Sequence, residues 1–292
     1  MDIDTGTDPY QPFGKVCILA PGLLGASVAM ACKKNRVAQT THIWSRRASS
    51  RAKLIGQPWC DEIFASPGEA AEEADLVVIC SPVDFIVPLY NEIRQSMKPG
   101  ALVTDVGSTK SLICRQIHAA ADPRVHFIGA HPMAGSEKTS MDYACDSLFH
   151  NRPCIITPLE DSNEIATKRI IQFWKSIGAV TFIKTPEDHD EIVAHISHLP
   201  HLIAASLCQF LDKHPSDWEQ LTSTGLRETT RIASGDPGMW KAIIETNREE
   251  IKRALSGYQD DLQRIQSALT NGNMVELVSI LEKGKNFRDR LN

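Results

Sequence analysis

From Lys15 onward, short runs of apolar and β-branched residues alternate with stretches of helical period: KVCIL, a helix from Leu23, THIW, a helix near Ser49, and LVVIC after an Ala/Glu-rich helix. Alternation of this kind predicts a parallel sheet covered by helices. Further strands are expected at ALVTDV, HFIGAH, PCIIT and AVTFI, separated by helical patterns over 111–121 and 164–176. Beyond Thr185-Pro186 the pattern changes. Nearly every later stretch fits a helix, and the strong breaks fall at His214-Pro215, Ser234-Gly235 and Asp236-Pro237. The apolar period over 250–281 belongs to helices too long for a thin domain to bury on every face, which predicts a homodimer through this part of the chain.

The loop after the first strand, Ala20-Pro21-Gly22-Leu23-Leu24-Gly25, fits the Gly-x-Gly-x-x-Gly dinucleotide fingerprint except that Ala20 replaces the first glycine. Gly22 would let the backbone approach a pyrophosphate, Gly25 would let the helix pack closely on the strand, and Leu23 and Leu24 open a helix whose N-terminus faces the ligand. Standing alone, such a degraded motif reads as an ordinary strand-to-helix turn. Its position at the head of the first βαβ unit favours the nucleotide. The expected fold is therefore α/β, a Rossmann-type, mostly parallel sheet domain over 14–185 followed by an all-helical dimerisation domain over 186–292, with a mobile N-terminal extension over 1–13.

An NAD site normally places Asp or Glu after the second strand to bind the ribose hydroxyls. No acid occurs between Ala26 and Cys60. The strand runs instead into Ser45-Arg46-Arg47, followed by Arg51 and Lys53, donors that suit a 2′-phosphate through forked, charge-assisted hydrogen bonds. NADP is the expected cofactor and NAD the alternative, while a solvated basic loop remains a fair reading of Arg51 and Lys53.

Composition narrows the partners. The 292 residues carry 31 Lys plus Arg against 36 Asp plus Glu, a formal charge of -5, the wrong sign for a chain that binds nucleic acid as its main task. No apolar run approaches the roughly 20 residues that span a bilayer, and the acidic, polar opening is unlike a signal peptide. Eight cysteines are scattered without a Cys-x-x-Cys pair. They read as reduced thiols in the cytoplasm, with neither a disulfide frame nor a metal site.

Further stretches carry more specific information: Asp105-Val106-Gly107-Ser108-Thr109-Lys110, His131-Pro132-Met133-Ala134-Gly135-Ser136-Glu137, and Ser197-His198-Leu199-Pro200-His201. With the run from Gly225 to Ile232 and with Asp236-Pro237-Gly238-Met239-Trp240, they resemble, in order and across both domains, the prephenate/arogenate dehydrogenase family of tyrosine biosynthesis in its monofunctional form. Ala20 and Glu228, where many relatives have Asp, depart from the pattern. The resemblance implies oxidative decarboxylation of prephenate to 4-hydroxyphenylpyruvate with hydride transfer to NADP or NAD. Arogenate is the alternative substrate.

Topology alone places residues that follow parallel strands at the crevice where α/β sheets bind ligands, so Ser81-Pro82, Ser108 and His131 are expected to converge there, the first three against the nucleotide. The resemblance makes His131 the catalytic base, with Ser108 hydrogen-bonding near it and near the substrate hydroxyl. It gives the ring carboxylate to Arg231, turns His201 toward the substrate, and places Glu137 and Glu228 in an ionic network about Arg231. Read without it, His131 is equally a strand-end histidine satisfied by backbone groups, Ser108 and Thr109 are N-caps of the next helix, and Arg231 is a surface arginine. His195, His198 and His201 do not share one helix face, so they make no metal site, and the resemblance makes His198 a structural hydrogen-bonding histidine. A β-hydroxyacid dehydrogenase or imine reductase type of enzyme and a non-catalytic dinucleotide sensor are the competing functions. The former would need a catalytic lysine in the helical domain and leaves the His131 motif unexplained, and loss of His131 or Arg231 would favour the latter, but both are present.

Overall fold

The computed structural model describes residues 11–120, 122–135 and 140–291. Its first half runs β1 (Phe13–Leu19), α1 (Leu23–Lys34), β2 (Ala38–Trp44), α2 (Ala48–Leu54), β3 (Glu62–Phe64), α3 (Pro67–Ala71), β4 (Leu76–Ile79), α4 (Val83–Ile93), β5 (Ala101–Asp105), α5 (Ser111–Ala119) and β6 (Val125–Phe127). These strands form one parallel six-stranded sheet in the order β3-β2-β1-β4-β5-β6. The order reverses between β1 and β4, and such a switch point opens a crevice at the carboxyl ends of the strands.

HFIGAH is not one strand, as its apolar run suggested. The chain turns at Ile128, leaves β6, and begins β7 (Gly129–Pro132), which joins β8 (Pro153–Thr157) and β9 (Val180–Ile183) in a separate three-stranded sheet, with β7 antiparallel to β8. The break has a steric cause. A Cβ at Gly129 would lie 2.5 Å from Thr157 Oγ1 and 3.1 Å from Cys114 Sγ, so β7 passes closer to its neighbours than a side chain permits. PCIIT and AVTFI accordingly belong to this second sheet, and His131 sits inside β7 opposite Ile155 instead of following a strand of the main sheet.

The remaining elements are α6 (Glu164–Ser176), then α7 (Pro186–Val193), α8 (Leu199–Leu211), α9 (Thr224–Thr230), α10 (Pro237–Thr246), α11 (Arg248–Thr270) and α12 (Met274–Asp289). One core packs α1, α6 and the small sheet under the main sheet, with Phe173 and Trp174 fully buried. A second lies on the opposite face and includes Ile86 and Tyr90 of α4 together with Ala242 and Ile243 of α10, so the helical part is seated directly on the sheet domain. Along α11, Leu255, Leu262 and Leu269 recur every seven residues and stay partly exposed, as do Val275, Val278 and Leu281 of α12. That apolar face needs a partner surface.

Two local features shape the site. Ala20 takes φ 71°, the left-handed conformation that normally belongs to glycine and costs an L residue about 1–2 kcal/mol. The fingerprint loop therefore keeps its glycine geometry with alanine in place. Between α7 and α8 the helix contains a single π turn over Ala194–His198, in which the Leu199 N–H reaches back to the Ala194 carbonyl. Pro200, lacking an N–H, follows immediately as the second residue of α8.

Candidate active site

The nucleotide crevice is a cavity of about 680 Å³, lined by Ala20, Pro21, Gly22, Ser45, Arg46, Arg47, Ser81, Pro82 and Phe85 among others. Its size falls within the usual range of roughly 300–1,000 Å³ for small-molecule sites. Gly25 lies outside the lining and has the expected packing role, since a Cβ there would meet the Ala20 carbonyl oxygen at 2.5 Å and Cys80 Cβ at 3.1 Å. Leu23 is buried and Leu24 packs on the core, so what they can offer a phosphate is the N–H groups of the first turn of α1.

Of the basic residues after β2, Arg46 and Arg47 are exposed at the cavity, and the Arg46 guanidinium stands 5.6 Å from the centre of the Phe85 ring. Arg51 has a different task. Its Nη1 donates to the carbonyls of Ser45 (2.7 Å) and Arg46 (3.0 Å), bracing the loop from behind. Lys53 also lines the cavity but forms an ion pair with Asp142 at 2.7 Å.

The second part of the site grows out of the Asp105–Lys110 loop. Asp105 is fully buried and pairs with the equally buried ammonium of Lys110. Its Oδ2 also accepts the Gly107 N–H at 2.8 Å, and its Oδ1 accepts the Ala130 N–H at 3.1 Å, so one carboxylate fixes both this loop and β7. Gly107 has no room for a side chain: a Cβ would stand 2.7 Å from Ile86 Cδ1. Ser108 is half-buried in this loop and outside the nucleotide cavity lining.

Neither Ser108 nor Thr109 caps α5, contrary to the sequence reading of these residues. The N-terminus of that helix is capped from the helical domain, where Asp190 of α7 accepts the Lys110 N–H on Oδ1 (2.7 Å) and the Ser111 N–H on Oδ2 (2.9 Å). Thr109 instead meets Thr246 of α10, hydroxyl to hydroxyl at 3.0 Å.

His131 is buried, and its Nδ1 lies 2.9 Å from Nε2 of His189, whose own Nδ1 lies 2.9 Å from Asp190 Oδ1. The partner on that side of His131 is thus a histidine of α7 and not Ser108. Burial lowers the pKa of His131 well below the ordinary histidine value, and the charges of His189, Lys110 and His198 push the same way. His189 is lowered by burial and pulled partly back by Asp190. For Asp190, burial raises the pKa, but the hydrogen bonds from His189, Lys110 and Ser111 outweigh it and keep the carboxylate ionised.

The π turn brings two further histidines to the domain junction. His198 Nδ1 accepts a hydrogen bond from Asn247 Nδ2 at 3.2 Å, and burial pulls its pKa down to about 4. Asn247 also donates to the Asp190 main-chain carbonyl at 2.8 Å. His201 stacks on Trp240 with ring centres 3.6 Å apart and planes 10° from parallel. Its Nδ1 is buried without a hydrogen-bond partner among the described residues. His195 is exposed and bonds the Glu191 carbonyl through Nδ1. No cluster of three or more potential ligands among the described residues could hold a metal ion.

Arg231 and Glu228 are exposed at the end of α9, and Glu137 lies outside the described residues. Sequence reasoning missed Asp105, Lys110, His189, Asp190 and Asn247. Asp105 and Lys110 frame a motif already singled out, whereas no motif marks His189 and Asp190 on their acid-rich helix, or Asn247 between two helices.

The Trp240 stack depends on Gly235, where a Cβ would fall 2.5 Å from Trp240 Nε1. Gly235→Ala should therefore cost about 1–3 kcal/mol by overpacking, a drop of several degrees in Tm. Gly225→Ala, in open space on α9, should leave Tm within about a degree or raise it. Thermal denaturation of the two variants checks this, and equal melting curves would show that the indole yields without cost.

The profile of the prephenate dehydrogenase nucleotide-binding domain matches residues 28–183, and that of the prephenate dehydrogenase dimerization domain matches residues 185–283. The prephenate dehydrogenase of Bacillus subtilis is 30% identical over 280 residues, covering 92% of this chain and 74% of its own. Among solved structures, prephenate dehydrogenase from A. aeolicus in complex with hydroxyphenyl propionate and NAD+ superposes with a TM-score of 0.91 at 26% identity, covering 97% of this chain and 100% of that one. Synechocystis arogenate dehydrogenase gives 0.82 at 28% identity, covering 95% and 100%. The exposed apolar face of α11 and α12 lies within the matched dimerization domain, which makes the assembly a homodimer. No helix among the described residues is long and apolar enough to cross a membrane. With both domain profiles matched in sequence, and with relatives similar over nearly its whole length, the chain belongs to the prephenate dehydrogenase family, NAD(P)-dependent oxidoreductases of tyrosine biosynthesis.

Proposed function

We propose that the chain carries out the oxidative decarboxylation of prephenate with NADP in preference to NAD, using His131 as its base. The observation that carries this reading is the buried His131, held neutral at the junction of the two domains and hydrogen-bonded by His189. Gly22, the first turn of α1, Ser81 and Pro82 would hold the nucleotide, and Ser45, Arg46 and Arg47 its 2′-phosphate. The nucleotide, when bound, supplies the hydride acceptor.

The remaining chemistry belongs to the side chains. As the ring carbon bearing the 4-hydroxyl loses hydride, the hydroxyl proton passes to His131 and the carbon–oxygen bond gains carbonyl character. The bond to the ring carboxylate then breaks, its electron pair enters the ring, carbon dioxide leaves, and His131 returns the proton to the phenolate oxygen. Ser108 would hydrogen-bond the substrate hydroxyl. Arg231 would grip the ring carboxylate through its planar fork, and Glu137 and Glu228 would orient that arginine. His201, stacked on Trp240, would donate to the side-chain ketone or carboxylate. The same reading places the enzyme in the cytoplasm, a setting that suits eight unpaired thiols.

His131→Ala should lower kcat by roughly 10²- to 10⁴-fold with nucleotide affinity nearly intact. The active form of the base is neutral, and burial moves its pKa down. Activity should therefore persist as pH falls through the ordinary histidine value of about 6.5 and decline only below it. An acid limb of kcat/KM centred at or above that value, or normal turnover by the variant, would contradict the assignment.

Cofactor choice is tested separately. Removing one charge-assisted hydrogen bond costs about 1.5–3 kcal/mol, so Arg46→Ala should raise the KM for NADP by roughly 10- to 100-fold while that for NAD changes little. A wild-type enzyme with the higher kcat/KM for NAD would reverse the assignment.

Prephenate and arogenate differ in a side-chain ketone against an ammonium. The segment from His198 to Ala205 that carries His201 contains no acid to receive an ammonium. Prephenate should therefore show the higher kcat/KM when both substrates are assayed side by side, and a tenfold advantage for arogenate would point to a carboxylate in the pocket.

A further inference from the structure

The base reading leaves open what decides which nitrogen of His131 is basic. An imidazole can carry its single proton on either nitrogen, and only the bare one can receive a proton from a substrate. The line Asp190, His189, His131 decides it by elimination. Asp190 is ionised and its carboxylate oxygens only accept, so the 2.9 Å contact requires His189 to donate through Nδ1–H. Asp190 Oδ1 is meanwhile fixed in place by the Lys110 N–H at 2.7 Å, and Oδ2 by the Ser111 N–H at 2.9 Å.

A neutral His189 that carries its proton on Nδ1 has a lone pair on Nε2. The atom 2.9 Å away, His131 Nδ1, must then be the donor, which leaves His131 Nε2 unprotonated. The reverse arrangement would put two lone pairs, or two protons, against each other in a buried contact. The buried ammonium of Lys110 and the neighbouring His198 disfavour a second positive charge at rest, so both rings stay neutral.

We propose that His189, anchored by Asp190, is a positioning residue that fixes His131 in the Nδ1–H tautomer and so makes Nε2 the atom that takes the substrate proton. The proposal rests on His131 being the base. During turnover the imidazolium of His131 faces the His189 lone pair, and beyond it the Asp190 carboxylate, without any change of partner. The proton taken at Nε2 returns from Nε2, and Nδ1 keeps its own throughout. No oxidant or further acid is needed.

Two substitutions separate tautomer control from mere packing. His189→Leu removes both hydrogen bonds, whereas His189→Gln keeps an oxygen to accept from His131 Nδ1–H and an amide to donate to Asp190. The expected result is a loss of kcat on the order of 10²-fold for Leu, with substrate KM changed by less than about threefold, and recovery to within about fivefold of wild type for Gln. Nitrogen-15 NMR of histidine-labelled protein gives a readout that packing alone would not move. His131 should show a protonated Nδ1 and a bare Nε2 in the wild type and in the Gln variant, and averaged signals in the Leu variant.

Wild-type kcat in the Leu variant would overturn the proposal, as would equal losses in two folded variants. A bare Nδ1 on His131 in the unmodified protein would overturn it without any substitution. Failure of the base reading looks different, since His131→Ala would then turn over normally. An inactive His131→Ala beside a fully active His189→Leu would sink only the assignment made to His189.

Discussion

The carboxylate of Asp190 is the contact on which the rest of this molecule depends. It is buried at the junction of the two domains, and each oxygen answers a backbone N–H at the start of α5 that would otherwise point at nothing. Hydrogen bonds to a charged group are worth about 1.5–3 kcal/mol each, and an abandoned buried N–H costs a comparable amount. The helix N-terminus favours the negative charge in turn. One side chain of the helical part thereby completes a helix of the sheet domain, and through His189 it reaches the buried His131 of β7.

Around that contact the interior is unusually polar. Asp105 with Lys110 forms a buried ion pair, and His131, His189 and His198 are buried beside it. Such an arrangement adds little net stability, because desolvation offsets most of the attraction. What it supplies is a fixed arrangement. Asp105 ties the loop after β5 to β7, Asp190 ties α5 to α7, and Asn247 ties α7 to α11 through the Asp190 carbonyl. For His131 the consequence is that burial favours the neutral ring and the bond to His189 fixes its orientation.

Much of the fold was legible because its causes are local. Short continuous runs of apolar and β-branched residues marked β1, β2, β4 and β5, the Gly22-to-Gly25 loop marked the first helix, and Thr185-Pro186 marked the start of α7, where Thr185 does cap the Asp188 N–H. The split of HFIGAH into two strands was not legible, because it follows from the approach of Gly129 to Thr157 and Cys114, residues distant in sequence. β3, only three residues long, carries too little pattern to be noticed. At the candidate site, Gly22, Arg46 and Arg47 at the cavity and the buried His131 stood out by motif in the sequence. His189 and Asp190 did not, since on a surface-like helix rich in acids nothing distinguishes a residue turned inward until the facing helix terminus is known.

The π turn ahead of Pro200 bears on how relatives of this chain should be aligned. It amounts to one surplus residue accommodated inside a helix that otherwise runs on from α7 to α8. Below it His189 and Asp190 face β7 and α5, and above it His201 faces Trp240. Deleting a single residue from the turn would not shorten a loop. It would twist one half of the rod by about 100° against the other, the angle between successive residues of an α-helix. A one-position gap in this stretch of an alignment therefore marks a change of phase between two groups of side chains, and homologues that differ there present different faces to the domain junction.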